Sequence, residues 1–317
     1  MNSLFQDDYH IVIPPVDAVV KRPLWSVLIP TYNCAAYLKE TLLSVLAQDA
    51  GPEHMEIIVI DDYSTEDDPE SVVNSFGRGR VQFLKQPTNV GKVKNYEVGL
   101  IISKGLLIHQ LHGDDKVRLG FYKEMERIFN TYQDAKAAFC RTIYIDELSR
   151  WTGMTGMIDN SEGIVTDMAS KLYTQQYIQT PSMVVKRQVY EELGGFDKRL
   201  ICMEDWEMWT RIANYFPIAV SNKVLAEYRS HSGNATHLTF NDGSAFNTHQ
   251  LVCDIIDTYI LTSIKNKYGK IRNVKQTEFW LLSYSKMEVK LTVVQKLGFI
   301  KKILSKSISL KTIYRLL

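Results

Sequence analysis

Apolar positions fall into two rhythms along this chain. Residues 25–29, 55–60, 81–84 and 106–111 are short apolar runs, the pattern of buried strands, with Pro30 stopping the first. Between them, Tyr37, Leu38, Leu42, Val45 and Leu46 recur at helical spacing and predict a helix over 35–47. Helices are likewise expected near 68–76, over 91–103 and over 118–132. Further strands are expected at 137–140, 182–185 and 223–229. A short helix ends in a glycine cap at Gly194. From Trp206 to Tyr215, Trp206, Trp209, Ile212 and Ala213 share one helical face and read as core. The glycine-rich stretch 142–163 reads either as a hairpin or as a mobile loop. From about residue 244 the strands stop: 246–264 and 276–294 are apolar at helical intervals, and 296–316 is basic and amphipathic. The pattern divides the chain into an extended leader (1–23, with Pro14, Pro15 and Pro23), an α/β domain (24–240) and a helical region (241–317).

Strands alternating with helices at this pace imply βαβ units and a parallel sheet. Ligands of such sheets bind beyond the carboxyl ends of the strands. Three polar clusters lie at such ends: Thr31-Tyr32-Asn33, Asp61-Asp62 and His112-Gly113-Asp114-Asp115. The topology therefore gathers them along one edge. Asp114 and Asp115 repel each other and cannot both be buried unpaired. A divalent cation held by oxygen ligands would resolve that conflict, and so would a solvated turn.

Composition narrows the classes. A chain of 317 residues with 45% hydrophobic and 23% charged residues is an ordinary globular protein, and its net charge of +1 argues against nucleic acid as a partner. The charge is uneven: residues 286–317 hold eight lysines and arginines against Glu288 alone, a local +7 that leaves −6 elsewhere. The four cysteines are far apart and form no CxxC pair, which points to reduced thiols in the cytosol. The first residues lack the basic start and apolar core of a signal peptide, and no apolar run has the length of a membrane span.

The segments at these strand ends carry a resemblance. Ser26-Val-Leu-Ile-Pro-Thr-Tyr-Asn33, Ile57-Ile-Val-Ile-Asp-Asp-Tyr-Ser-Thr65 and Asn89-Val-Gly-Lys-Val-Lys-Asn95 are followed by Leu111-His-Gly-Asp-Asp115 and Gly194-Gly-Phe-Asp197. Glu204-Asp205 with Arg211, and Tyr228-Arg-Ser-His231, complete the series. In this order and spacing the chain, over roughly 24–235, resembles the inverting nucleotide-sugar glycosyltransferases of family 2. The resemblance implies a GT-A fold, a Rossmann-like mixed sheet flanked by helices. Its nucleotide-sugar half would span about 24–115 and its acceptor half about 116–240.

The same resemblance implies roles. Asp114 takes the position of the principal metal ligand, for Mn²⁺ or Mg²⁺, in an Asp-X-Asp motif whose first Asp is here His112. His112 is then either a ligand or a hydrogen-bond donor to the nucleotide. Asp61 takes the position of the carboxylate that meets the uracil ring, and Pro30, Thr31 and Asn33 that of the nucleobase loop. Lys92 and Asn95 pass beside the nucleotide, although a solvated helix-face charge is an equally good account of Lys92. Asp205 takes the position of the general base, with Glu204 as the neighbour that might exchange roles with it, and a helix N-cap is its ordinary alternative. His231 approaches the metal or diphosphate. The expected partners are a nucleotide-sugar donor, UDP-linked first, and a glycan or lipid-linked saccharide acceptor in surface polysaccharide synthesis. The basic C-terminal segment fits either peripheral docking on an anionic membrane or packing on the domain. Two other readings compete: a nucleotidyltransferase, opposed by the absence of Gly or Lys in residues 30–34, and a non-catalytic glycan-binding protein.

Overall fold

The structure, a computed structural model, describes residues 8–286. The first elements are β1 (Trp25–Thr31), α1 (Ala35–Leu46), β2 (Met55–Asp61), α2 (Pro69–Phe76), β3 (Val81–Lys85), α3 (Lys92–Ile102) and β4 (Leu107–Gln110). Next come β5 (Lys116–Val117), α4 (Phe121–Thr131), β6 (Ala137–Ile145), β7 (Trp151–Met154), β8 (Gly163–Ile164) and α5 (Met168–Thr174). A 3-10 turn, Thr180–Ser182, leads into β9 (Met183–Lys186), α6 (Arg187–Leu193), α7 (Glu204–Tyr215) and β10 (Ile218–Arg229). Helices α8 (Ala235–Asn241), α9 (Ser244–Tyr259) and α10 (Thr262–Lys286) close the described chain.

One sheet runs β3-β2-β1-β4-β9-β6-β10-β5, with β7 on β6 and β8 on β10. Strands β3, β2, β1 and β4 are parallel, as the βαβ pattern predicts. Strand β9 is antiparallel to both β4 and β6, so the sheet is mixed, not parallel throughout. A buried apolar run of four residues carries no mark of its direction, so sequence periodicity alone is silent on this point. The central strands are apolar on both faces. Val27 and Ile29 face one core with Leu38, Leu42 and Phe121, while Leu28 faces the other with Leu100, Trp206 and Trp209.

Several expectations change in detail. Pro30 lies inside β1 opposite Ile60 and does not end the strand. It lies beyond the last paired residue of β4, so its missing N–H interrupts no ladder bond, and its carbonyl accepts from Gly113 N (3.0 Å). The stretch 142–163 is a hairpin, β6 with β7, followed by β8. The apolar stretch expected as a helix over 246–264 breaks at Ile260–Leu261, and α10 continues from Thr262 without a gap to 276. The leader is anchored: Ile13 is 1% exposed in the core, and Pro14 O accepts from Arg187 Nη2. The expected basic helix over 296–316 lies outside the described residues. Among the described residues no helix is long and apolar enough to cross a membrane.

Candidate active site

At the carboxyl ends of β1, β2 and β4 lies a cavity of about 610 Å³. Its lining includes Pro30, Thr31, Asn33, Asp62, Lys92, Asn95, His112, Asp114, Glu204, Asp205 and His231. A second cavity of about 800 Å³ sits at the opposite strand ends, between the leader, α4 and α6, and contains none of these groups.

The nucleobase-side loops are built by mutual capping. Asn33, in the left-handed region at φ 48°, turns the chain out of β1. Its Oδ1 accepts from the backbone of Thr65 (3.0 Å) and Glu66 (3.2 Å). Asp67 returns the favour by accepting from Ala35 N (2.6 Å), the first residue of α1, which lacks a cap from its own N-cap residue. The fully buried Asp61 carboxylate accepts from Ser64 N and Oγ (2.5 Å to the latter), so its oxygens hold the turn after β2. The cavity wall there is Asp62, the second carboxylate of that strand end; it accepts from Val90 N (2.8 Å) and Gly91 N (3.0 Å). Asn95 is buried and spends its amide on Ile60 O (2.8 Å) and Gln86 (3.1 Å), bracing α3 against β2.

The His112-Gly113-Asp114-Asp115 turn is packed onto Thr31 and Cys34. A Cβ on Gly113 would lie 2.9 Å from Cys34 Sγ and 3.0 Å from Thr31 Oγ1, so any larger residue forces these side chains to shift. The ligating atoms of His112, Asp114 and Asp115 lie within 4.8 Å of one another. Asp115 is 1% exposed; Oδ1 accepts from Arg229 N (2.9 Å), while Oδ2 is buried with no hydrogen-bond partner. Burial, then the charge of Asp114, pushes its carboxyl well above the ordinary range. An orphaned buried carboxylate oxygen beside a second carboxylate and an imidazole is a donor set that fits a divalent cation. His231 Nε2 lies 2.9 Å from Asp114 Oδ2 and so acts on the carboxylate beside it. Burial lowers the His112 imidazole, which sits 2.8 Å from Tyr96 OH and stacks on that ring at 5.4 Å. Tyr96 gave no sequence signal beyond its place on the apolar face of α3.

Behind the motif stands Arg229, 0% exposed. Its guanidinium donates to the carbonyls of Asp114 (2.9 Å) and Asp146 (3.1 Å), and to Glu40 Oε2 (3.1 Å). One side chain thus ties the motif to α1 and to the β6–β7 turn.

Across the cavity, Met203 occupies the N-cap of α7 with φ 60°, and Glu204 and Asp205 follow in its first turn. Asp205 is therefore not the cap. Its Oδ2 accepts from Gln176 Nε2 (2.7 Å) and Thr180 Oγ1 (3.0 Å), and its Oδ1 from Trp206 N (2.8 Å). Burial, and next the Glu204 charge, push its carboxyl up to about 6. Glu204 is 2% exposed; Oε1 pairs with Lys92 Nζ at 2.8 Å, and Oε2 is buried without a hydrogen-bond partner. Burial alone would lower the Lys92 ammonium, but Glu204 holds it above its ordinary value. Lys92 is thus no solvated helix charge: it pairs with the buried Glu204 carboxylate beside Asp205. Thr180-Pro181-Ser182 resembles a family segment near the acceptor side but has no evident role from sequence, and Gln176 gives no sequence signal, because both reach Asp205 only through the chain's long-range folding.

Comparison with known proteins agrees with this geometry. Residues 26–194 match the family model described as Glycosyl transferase family 2. An uncharacterized protein of Mycobacterium tuberculosis is 29% identical over 202 residues, 60% of this chain and 62% of that relative. An uncharacterized glycosyltransferase of Rickettsia typhi is 25% identical over 220 residues, 69% of this chain and 68% of the relative. Among solved structures, Staphylococcus aureus TarS 1-349 in complex with UDP-GlcNAc superposes with a TM-score of 0.65 at 18% identity, covering 89% of this chain and 81% of that one. The mannosyltransferase PcManGT from Pyrobaculum calidifontis, in complex with GDP-Man and Mn²⁺, gives 0.54 at 17%, covering 77% and 66%. At these identities the structural likeness establishes the fold.

Proposed function

The chain belongs to glycosyl transferase family 2, and from that premise we propose that it moves one sugar from a nucleoside-diphosphate sugar, UDP-linked by preference, to a saccharide acceptor with inversion at the anomeric carbon. The observation that carries this reading is a single cavity lined by His112 and Asp114, with the buried Asp115 clustered beside them, and by Glu204, Asp205 and Lys92. Pro30, Thr31 and Asn33, with Asp62, form the side for the nucleoside. A divalent ion, Mn²⁺ or Mg²⁺, held by His112, Asp114 and Asp115 would supply positive charge for the diphosphate leaving group. Asp205 accepts the proton of the acceptor hydroxyl as its oxygen bonds to the anomeric carbon, and the nucleoside diphosphate departs with the electrons of the broken bond. A carboxyl near 6 suits a base working at neutral pH. Gln176 and Thr180 hold the carboxylate in place, and His231 orients Asp114.

The acceptor in this proposal is a growing glycan, free or lipid-linked, at the cytoplasmic face of a membrane. The +7 segment 286–317 supports peripheral contact with anionic lipid, each Lys adding roughly 1 kcal/mol near the surface. To test the reading, purified protein is incubated with Mn²⁺ and a panel of UDP-, GDP- and dTDP-sugars, and nucleoside diphosphate release is scored. Slow release from one donor, abolished by EDTA and by Asp114→Ala, is expected. Pyrophosphate release from a nucleoside triphosphate plus sugar phosphate, or no donor binding in calorimetry, overturns it.

A further inference from the structure

The cavity does not end at the catalytic groups. Beyond Cys202, Met203 and Asp205 its wall is built by the C-terminal helices, through Leu238 and Phe240 of α8 and Phe279 of α10. These side chains are not left over from the core. Leu238 is 55% and Phe279 43% exposed, and Phe240 is half-buried, and all three border the same cavity as Asp205 and Gln176. Large apolar side chains left exposed along a cavity wall beside convergent polar groups mark a surface that some ligand covers.

The rings are held in fixed orientations. Phe240 stacks on Trp280 with centroids 5.3 Å apart and planes at 22°, and Phe279 meets Trp280 edge-on at 5.3 Å and 79°. His249 of α9 lies parallel to Phe279 at 6.1 Å and contacts Trp206, the neighbour of Asp205, at 5.2 Å. A continuous aromatic cluster thus runs from the first turn of α7 out to the cavity wall.

We propose that Phe240 and Phe279 form the acceptor subsite and stack against a pyranose ring of the saccharide that receives the sugar. The assignment rests on the transferase reading above. In that reading the donor diphosphate lies at the His112–Asp114–Asp115 end, so the acceptor hydroxyl must approach Asp205 from elsewhere. The aromatic wall begins on the Asp205 side of the cavity, where Met203 and Phe240 both pack against the cluster of Cys202, Ala245 and Trp280. A sugar ring has an apolar face of C–H bonds that packs on an aromatic ring, and a rim of hydroxyls that needs polar partners. Here the rim would meet Gln176, Gln179 and Tyr228, which line the same cavity. The helical region after the sheet is then a specificity module for the acceptor.

The test is saturation-transfer NMR on the full chain with diamagnetic Mg²⁺ and UDP bound, irradiating aromatic protons and observing methyl glycosides of glucose, galactose, mannose and N-acetylglucosamine. At least one glycoside should receive saturation at its ring C–H protons. Phe279→Ala should reduce that signal several-fold and raise the acceptor KM in transfer assays by about tenfold, while UDP affinity stays within twofold. Phe279→Tyr, which keeps the ring, should restore both, an outcome that general unfolding of α10 would not give. Wild-type protein that binds UDP but saturates no glycoside, or a Phe279→Ala variant with unchanged signal, overturns the subsite. Saturation of octyl phosphate with none of the methyl glycosides assigns the wall to a lipid chain and overturns it equally. Failure to bind any nucleoside diphosphate sinks the transferase reading instead.

Discussion

Asp205 carries two predictions of opposite sign. As the base it must be ionised, so the rate should fall as pH drops through about 6, and Asp205→Asn should keep donor binding while losing at least ~10²-fold in kcat. Transfer at the wild-type rate in that variant would remove Asp205 from the chemistry. The same carboxyl is titrated upward by folding, from 3.8 to about 6, so its ionisation opposes the folded state. That group's contribution to stability is complete below its unfolded value and is lost as pH rises through about 6. Asp205→Asn should therefore be more favourable to stability at pH 8 than at pH 3.5, by up to ~3 kcal/mol, in urea melts at the two pH values. Glu204→Gln removes the like charge and releases Lys92 from its partner, and both changes favour ionised Asp205. The acidic limb of the kcat/KM profile should move below 6; an upward move would show that Glu204 does not act on Asp205. Asp114 stood out in the sequence as one of two carboxylates closing a strongly patterned strand, and Asp205 through the family resemblance. Their partners did not. Gln176 and Thr180 lie outside any strongly patterned element, Arg229 reads only as the end of a strand, and only tertiary packing brings their polar atoms within hydrogen-bond distance.

At the scale of elements, two glycines show how the sheet positions the site. Neither has a positive φ, so space alone requires them. A Cβ on Gly105, at the entry to β4, would lie 2.4 Å from Ser26 N and 2.6 Å from Trp25 C, inside the β1 backbone. Gly105→Ala must therefore part β1 from β4 and is expected to cost ~2–3 kcal/mol or more in denaturant unfolding. Gly113→Ala instead meets Cys34 Sγ and the Thr31 side chain, which can yield by a few tenths of an ångström. It should cost less stability but displace Asp114 and Asp115, raising the Mn²⁺ requirement at least ~10-fold in a metal titration of activity. If the ranking of the two variants in stability were reversed, this account of the packing would be wrong. The apolar runs made β1, β2 and β4 readable, along with the edge at which they end. The direction of β9 was not readable, since a strand buried on both faces looks the same in either direction. Nor were α5 and α8, which are too short, and in α8 too exposed, to show a helical stripe.

For the whole molecule, His112 and Asp114 and the Glu204–Asp205 carboxylate pair line one cavity, built by residues from the sheet and from α7. A ligand that spans them joins parts of the fold that otherwise meet only through the core. Binding confined to the native state stabilises it by RT ln(1 + [L]/Kd), about 2.7 kcal/mol at a hundredfold excess over Kd. For a chain of this size that is roughly a 5 °C rise in Tm. Nucleoside diphosphate with Mn²⁺ should give that rise, and Mn²⁺ or nucleotide alone much less, because the donor set of His112, Asp114 and Asp115 leaves coordination positions for phosphate oxygens. Asp114→Ala should abolish the metal-dependent part while leaving the unliganded Tm within a few degrees, since its carboxylate is partly exposed and its known partner, His231, is on the cavity wall. Equal shifts with and without Mn²⁺ in the wild type would show that the nucleotide binds without the cluster, and the motif would then have a structural role in place of a metal-binding one.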